Sequence, residues 1–407
     1  MKVYREMKVY IITREPFPIG MAATNRIICL AKAFRSAGVD CSVVIFRRKY
    51  TTNSIPGIGF FEGIPYKYIG GSAQRAKGKL KAKFQSFFLM IQLLVFLTHR
   101  IKSGNVIYDF FGKSNILKSI MIWLVHKNGG FCVRELCEYP FGTGKETKKI
   151  VKQRKYALNR LFPQYDGIVA ISDALVDLAK HYCSPKCVIQ KVPILVDFEK
   201  YNLPDESSQA SIPYIFHSGT LLEQKDGILG MIEAFGRAVK ELDFPVKFIS
   251  TGYKEKSPHI YEINSIIKKY NIEDYVVFTG YINEEKLKMY LKGASMCIIN
   301  KYPNQQNRYC FSTKLGEYMA AGKPIIITHV GEAVNWLENY KDALIVEPQD
   351  IQALTNAIVK LFCNKDLRNA IGNNARETCH QAFDYKCHGR PLKQFITSIK
   401  DKGLSAL

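Results

Sequence analysis

Residues 311–324 read FSTKLGEYMAAGKP, and the rest of the chain is organised around this stretch. Ser312, Thr313 and Lys314 stand at the start of a helical pattern, where the first amides lack partners inside the helix and its dipole favours an anion. Glu317 follows one turn on, on the face that residues three and four apart share. A carboxylate there can accept hydrogen bonds from ribose hydroxyls while the helix end holds phosphates. Ala320, Ala321 and Gly322 are small enough for close packing, and Lys323-Pro324 opens the apolar run that follows.

Outward from this point, short β-rich runs alternate with longer helical patterns. In the second half they are residues 213–219, 245–252, 275–280, 294–300 and 323–328, with helix patterns such as 227–239 and 284–293 between them. The first half carries a similar series, with strands over 8–14, 41–46, 105–111, 130–136 and 166–172 and helices over 24–38 and 173–182. Alternation of this kind implies parallel sheets built from βαβ units, and two series imply two domains. The fold class is therefore α/β, with two Rossmann-like domains whose sheets face across a cleft. Their expected extents are 1–192 and 213–388. A polar linker with Pro204 spans 193–212, and a last helix over 389–402 packs back on the first domain.

Ligands of open α/β sheets gather at the carboxyl ends of the strands. In HSGTLLEQKDG (217–227), Gly219 permits close backbone approach, Lys225 supplies a cation and Gly227 precedes a helix. Together they read as a diphosphate cradle. His217 lies inside a strand and reads as core.

At these residues the chain resembles the retaining glycosyltransferases of family 4, which have the GT-B fold, in their bacterial surface-polysaccharide branch. The resemblance is carried by HSGTLLEQKDGILGMIEAF, VVFTGYINEEKLKMYLKGASMCII and FSTKLGEYMAAGKPIIIT with GEAVNWLENYKDALIVEPQD, over roughly 170 residues. The first domain matches more loosely, through PFPIGMAATNRIICLAKAFRSAG, GIVAISDALVDLAKHY and VPILVDFEKY. The resemblance implies a nucleotide-sugar donor, UDP- or GDP-linked, and no cofactor. By it, Glu317 holds the donor ribose as the second glutamate of a Glu-x7-Glu motif, and Lys225 contacts the diphosphate. Ser312 and Thr313 form the turn whose amides face the phosphates, and Lys314 and Leu315 belong with them to the donor site. Tyr281 and Ile282 border the base, and Gly20 and Met21 form the opening loop of the first domain.

Two positions depart from the family pattern. Tyr309 stands where the first motif glutamate belongs, and Thr220 where an arginine follows Gly219. Lys314 or Arg308 is then the replacement cation. On the acceptor side the candidate carboxylates are Asp109, Glu135 and Glu138, with Glu138 the candidate acceptor-side catalytic group beside Glu317, Lys225 and Lys314. Lysine and helix amides can stabilise a departing diphosphate without a metal. The sequence offers neither an Asp-x-Asp strand end nor a His/Cys cluster as a metal site.

Charge points to a second kind of partner. Formal net charge is +22, and residues 1–160 hold 29 Lys and Arg against 8 Asp and Glu, while the remainder is nearly balanced at 29 against 28. Such asymmetry marks a polyanionic partner for the first domain. Residues 84–98, FQSFFLMIQLLVFLT, are apolar but shorter than the roughly 20 residues needed to span a bilayer. Arg75, Lys77, Lys79, Lys81 and Lys83 precede them, and KETKKIVKQRKYALNR follows at 145–160. Basic, apolar helices of this kind lie in the headgroup layer of an anionic leaflet. A nucleic-acid partner would bring aromatics interleaved with the basic runs, but the first has none before Phe84 and the second only Tyr156.

The N-terminal MKVYREMKVYIIT has too short and too charged an apolar stretch for a signal peptide, and the doubled MKVY marks two possible starts. Eleven scattered cysteines without metal or redox spacing read as reduced thiols of a cytosolic protein. The leading expectation is a metal-independent hexosyltransferase moving a sugar from a nucleotide donor to a lipid-linked or glycan acceptor. It would work peripherally on the inner face of the cytoplasmic membrane, in surface polysaccharide synthesis. Two alternatives stand beside it: a sugar-nucleotide epimerase of the same fold, for which no carboxylate–histidine set can be assembled, and a catalytically inactive nucleotide-binding scaffold, motivated by Tyr309 and Thr220.

Overall fold

The structure, a computed structural model, describes residues 7–50, 55–110, 115–141, 146–201 and 211–404. The first MKVY, Lys145 and residues 202–210 of the linker stretch, Pro204 among them, lie outside them. The chain divides into two compact units, Met1–Leu195 with Tyr385–Leu407, and Val196–Asp384.

The first unit contains strands β1 (Lys8–Thr13), β2 (Asp40–Ile45), β3 (Ile58–Phe61), β4 (Ile64–Tyr68), β5 (Val106–Phe110), β6 (Phe131–Leu136), β7 (Gly167–Ala170) and β8 (Val188–Lys191). Its helices are α1 (Ala22–Ser36), α2 (Lys79–Arg100), α3 (Asn115–Lys127), α4 (Lys148–Tyr156) and α5 (Asp173–Tyr182). The sheet order is β3-β4-β2-β1-β5-β6-β7-β8, parallel except for the β3–β4 hairpin at one edge. Successive side chains of a strand point to opposite faces. Val9 and Ile11 accordingly enter one core with Ile27, Leu30 and Phe34 of α1, whereas Tyr10 meets the Phe96 ring of α2 edge-on at 5.6 Å. Helices α1 and α2 therefore cover opposite faces of the sheet. Each fully buried Ile or Phe contributes about 1.5–3 kcal/mol to this packing.

The second unit contains β9 (Tyr214–His217), β10 (Lys247–Ser250), β11 (Val276–Phe278), β12 (Met296–Ile299), β13 (Ile325–Thr328) and β14 (Leu344–Val346). Its helices are α6 (Glu223–Asp226), α7 (Ile228–Glu241), α8 (Ile260–Tyr270), α9 (Glu284–Gly293), α10 (Gln305–Tyr309), α11 (Thr313–Ala320), α12 (Ile351–Cys363) and α13 (Lys365–Ala382). The order β11-β10-β9-β12-β13-β14 is parallel throughout. Connections diverge to the two sides between β9 and β12, which leaves a crevice at the carboxyl ends of those two strands.

The last helix, α14 (Tyr385–Leu404), belongs to the first unit, where Phe395, Ile396 and Ile399 join the core around α1. It begins four residues before the sequence pattern placed it, and Val196–Tyr201, read as linker, belongs to the second unit.

Several elements escaped the sequence reading, among them β3, β4, α3, β8, β14, α12 and α13. Strand β3 carries Gly59 and alternates between exposed and half-buried, and strands of that composition give a weak signal. Helix α3, NILKSIMIWLVHK, is apolar on both its buried and exposed sides, which hides its period. Strand β8 is short and only half-buried. The apolar run at 84–98 is also longer than read: its helix takes in Lys79, Lys81 and Lys83 and reaches Arg100, 22 residues in all.

Candidate functional site

The crevice of the second unit is lined by the loop after β9, the Lys301–Asn304 loop after β12 and the N-terminus of α11. Tyr318, fully buried on α11, fixes the first of these: its hydroxyl accepts from Ser218 N at 2.7 Å and lies 3.0 Å from Ser218 Oγ. Gly219 follows, and its amide donates to Thr251 Oγ1 at 2.9 Å. A side chain at Gly219 would place Cβ 2.4 Å from the His217 ring, so the turn excludes one.

Beneath the loop lies a polar cluster built from residues far apart in sequence. Lys314 Nζ donates to Asp226 Oδ1 at 2.7 Å and stands 3.2 Å from His217 Nε2. Asp226 Oδ2 accepts from both the amide and the hydroxyl of Thr220 at 3.1 Å. His217 Nδ1 lies 2.9 Å from Ser250 Oγ, which itself donates to Thr251 O. With its own proton committed, the Ser250 hydroxyl accepts from Nδ1–H, which leaves Nε2 as the acceptor for the lysine. Burial, and then the Lys314 charge, push the His217 pKa down to about 4. Burial alone would raise the Asp226 carboxyl; Lys314 and His217 outweigh it and hold Asp226 well below the usual carboxylate range.

The turn carrying Lys225 is held from below. Asn300 Nδ2 donates to Gly227 O at 2.8 Å, and Gly227, at φ +59°, leaves room for that amide, which a Cβ would approach to 2.6 Å. Lys301, buried beside it, donates to Asn307 Oδ1 at 3.2 Å and reaches Lys225 O at 3.5 Å. Burial lowers the Lys301 pKa. The Lys225 side chain is part-exposed and pairs with no acidic side chain among the described residues.

Ser312 caps α11 but makes no side-chain capping bond, so it does not occupy the helix's first amides. Thr313 and Lys314 begin the helix, Leu315 is buried, and Glu317 is half-buried one turn on. The helix end, the glycine loop and Lys225 are thus brought into one crevice. Thr220 is there too, but as a ligand of Asp226. Lys314 occupies the place of a replacement cation with its charge already matched by a carboxylate. Arg308 is exposed on α10, its guanidinium 5.7 Å from the Tyr309 ring centre. The loops after β10 and β11 are joined by reciprocal Gly252–Gly280 backbone bonds of 3.1 and 3.2 Å. Tyr281, exposed, and Ile282, half-buried, follow this junction, with Tyr253 exposed beside Gly280.

Sequence reasoning missed Asp226, Lys301 and the link through His217. The signal available was position for two of them: His217 ends β9 and Lys301 lies two residues beyond β12, whereas Asp226, on α6, carried no such signal.

In the first unit, Gly20 and Met21 lie between β1 and α1. A Cβ on Gly20 would fall 1.9 Å from Thr24 Oγ1, and Met21 is exposed at the start of α1. The three acceptor-side carboxylates separate sharply. Glu135 is buried, accepting from Arg26 Nε at 2.6 Å and from the Tyr108 hydroxyl. Asp109 is buried among Arg134 at 2.8 Å, Lys118 at 3.3 Å and the Tyr165 hydroxyl at 2.5 Å. Burial works against its charge, but Lys118 and Arg134 prevail and lower its pKa. These two hold the sheet's polar interior together, and Glu138 alone of the three is exposed. None of the eleven cysteines is in a disulfide. Among the described residues no group of three or more His, Cys, Asp or Glu side chains is placed to hold a metal ion.

Residues 212–364 match the family model described as glycosyl transferases group 1. N-acetyl-alpha-D-glucosaminyl L-malate synthase of Bacillus anthracis is 22% identical over 227 residues, 54% of this chain and 56% of that protein. The capsular polysaccharide biosynthesis glycosyltransferase CapM of Staphylococcus aureus is 26% identical over 227 residues, 53% of this chain and 57% of that protein. The chain thus spans a little over half the length of these curated relatives. Among solved structures, Anabaena Alr3699/HepE in complex with UDP superposes with a TM-score of 0.69 at 16% identity, over 96% of this chain and 100% of that one. The two parallel-sheet domains are those of the GT-B fold.

Proposed function

We propose that the chain, whose residues 212–364 match the group 1 glycosyltransferases, is a retaining enzyme that transfers a hexose from a UDP- or GDP-sugar. The acceptor is a lipid-linked or glycan hydroxyl at the cytoplasmic membrane face, and the product enters surface polysaccharide. One observation carries the donor reading. The Lys314–Asp226 bond draws the start of α11 onto the Gly219–Gly227 loop, so that the first helix amides and the turn that carries Lys225 lie together at the switch point of the sheet.

In the reaction, the bond between the anomeric carbon and the diphosphate oxygen breaks as the acceptor oxygen bonds to that carbon on the same face. The acceptor proton passes to the departing diphosphate. Charge develops on that leaving group, and the first amides of α11, fixed in place before it forms, act with the Lys225 charge to stabilise it, as preorganised donors lower a barrier. Glu317 orients the donor by its ribose. Neither a cofactor nor a metal is required for this set of groups to act. Support for UDP comes from the HepE complex and for a polysaccharide product from the CapM relative.

The test is thermal stability with UDP-, GDP- and dTDP-sugars, wild type beside Glu317→Ala. A donor at 100 times its dissociation constant adds about 2.7 kcal/mol to the wild type. The expected result is that one nucleotide series stabilises the wild type and the variant loses the shift. No stabilisation by any of them refutes the donor site, and sugar interconversion without acceptor would make the chain an epimerase.

A further inference from the structure

Helices α2, α3 and α4 form one outer layer of the first unit. Helix α2 packs against α3, and Asn128, just past α3, donates to Leu97 O at 3.2 Å. Asn115 at the start of α3 donates to Gln153 O of α4 at 2.9 Å, and Ser119 lies 3.3 Å from the Tyr156 hydroxyl. On α2 the stripe Ala82, Leu89, Leu93 and Leu97 is buried in the unit. At 3.6 residues per turn the opposite stripe is Phe84, Phe88, Ile91 and Val95, and all four are exposed, Phe84 to 60% and Phe88 to 59%. The neighbouring α3 repeats the arrangement with Ile116, Ile120 and Trp123, exposed to 74%, 39% and 59%. Two adjacent helices thus each turn an aromatic and aliphatic stripe outward, more than isolated surface apolar residues account for.

The three helices themselves carry cations and no carboxylate, though Glu146, just before α4, pairs with Arg154 and Asp166 with His126. Between Glu62 and Asp109 there is no acidic residue but eight Lys and Arg, and between Glu146 and Asp166 there is none but six. Lys77, Lys79, Lys81 and Lys83 enter α2 at its exposed end. The occupant of such a face must accept apolar side chains and cations together. A second copy meeting it face to face would set lysines against lysines. A nucleic acid would meet the charges but leave the phenylalanine stripe in water. An anionic bilayer satisfies both, with the apolar stripe at the acyl boundary and the lysines among the phosphates. Although α2 is long and apolar enough to span, its Leu89–Leu97 stripe is committed to its own domain, so it lies along the surface.

We infer that the α2–α3–α4 layer is a docking surface for an anionic lipid leaflet, with Phe84, Phe88 and Trp123 as its apolar anchors. The inference rests on the membrane-face part of the proposed function. It stands apart from the donor chemistry, because vesicle binding needs no nucleotide and nucleotide binding by the second unit needs no vesicle. The experiment is sedimentation of the full chain with phosphatidylcholine vesicles, with and without phosphatidylglycerol, at low and high salt. Two variants go beside the wild type: Phe84→Ser/Phe88→Ser/Trp123→Ser and Lys77→Glu/Lys79→Glu/Lys81→Glu/Lys83→Glu. Melting temperature and nucleotide-induced stabilisation of each variant show that it is folded. The expected result is binding only to phosphatidylglycerol vesicles, weakened by salt as screened charge requires. Each folded variant binds at least about tenfold more weakly, that is, loses about 1.4 kcal/mol. Wild type left in the supernatant with anionic vesicles overturns the inference. So does an apolar variant that binds like wild type, or a wild-type dimer that the apolar variant dissolves.

Discussion

Lys314 and Asp226, 88 residues apart, share a hydrogen bond of 2.7 Å between groups that are 16% and 3% exposed. A pair this buried is costly to break from one side, because the remaining charge is left without compensation, typically at about 3–5 kcal/mol.

A double-mutant cycle measures that cost. Asp226→Asn and Lys314→Met are each expected to lower the unfolding midpoint clearly. The double variant should lose less than the two together, by a coupling of roughly 1–3 kcal/mol. Because Asp226 already offsets the Lys314 charge, the nucleotide should depend more on Lys225. Lys225→Met is expected to weaken nucleotide diphosphate binding at least tenfold, with little change in stability. Titration calorimetry on the single variants decides it: equal losses for Lys225→Met and Lys314→Met would mean that Lys314 contacts the diphosphate directly.

His217 gives the same cluster a pH dependence. Its folded pKa of about 4 lies below the usual value near 6.5, so protons bind the unfolded chain more readily over that interval. Its contribution is complete above about pH 6.5 and is lost as pH falls toward 4, by roughly 3 kcal/mol at the lower end. His217→Gln should therefore flatten the slope of stability against pH between 6.5 and 4, measured by urea unfolding. A variant slope equal to wild type would show that His217 is not held neutral by its burial and by Lys314.

How legible this was from sequence depends on whether a feature is local. FSTKLGEY announces its helix start and Glu317 because capping and spacing are written within one turn. Gly219, Lys225 and Gly227 sit in a single loop. The pairing of Lys314 with Asp226 is a tertiary contact; no spacing along the chain encodes it, and Asp226 reads as one more polar residue beside Lys225. His217 was legible as buried, but the lysine at its Nε2 was not. In the first unit, Asp109, Glu135 and Glu138 look alike as carboxylates near strand ends. Only the fold separates the two with buried cationic partners from the one that faces solvent. The docking layer was half visible: the lysines and the 84–98 run stood out, whereas α3 was hidden because its exposed face is as apolar as its buried one.

That separation of carboxylates leads to a sharp contrast between two substitutions. Asp109 compensates both Arg134 and Lys118. Lys118 is already pushed down to about 7, first by burial and then by Arg134, with Asp109 holding it up. Asp109→Asn leaves two buried cations facing each other and is expected to cost about 3–5 kcal/mol, seen as an early melting transition of the first unit in calorimetry. Lys118 can answer by shedding its proton, so the loss should be smaller at pH 8 than at pH 6. Glu138→Gln touches an exposed side chain and should leave stability within about 0.5 kcal/mol. If Glu138 serves the acceptor, turnover falls at least tenfold at unchanged nucleotide affinity. Wild-type melting in Asp109→Asn would return Asp109 to the acceptor candidates, and wild-type turnover in Glu138→Gln would remove Glu138 from them.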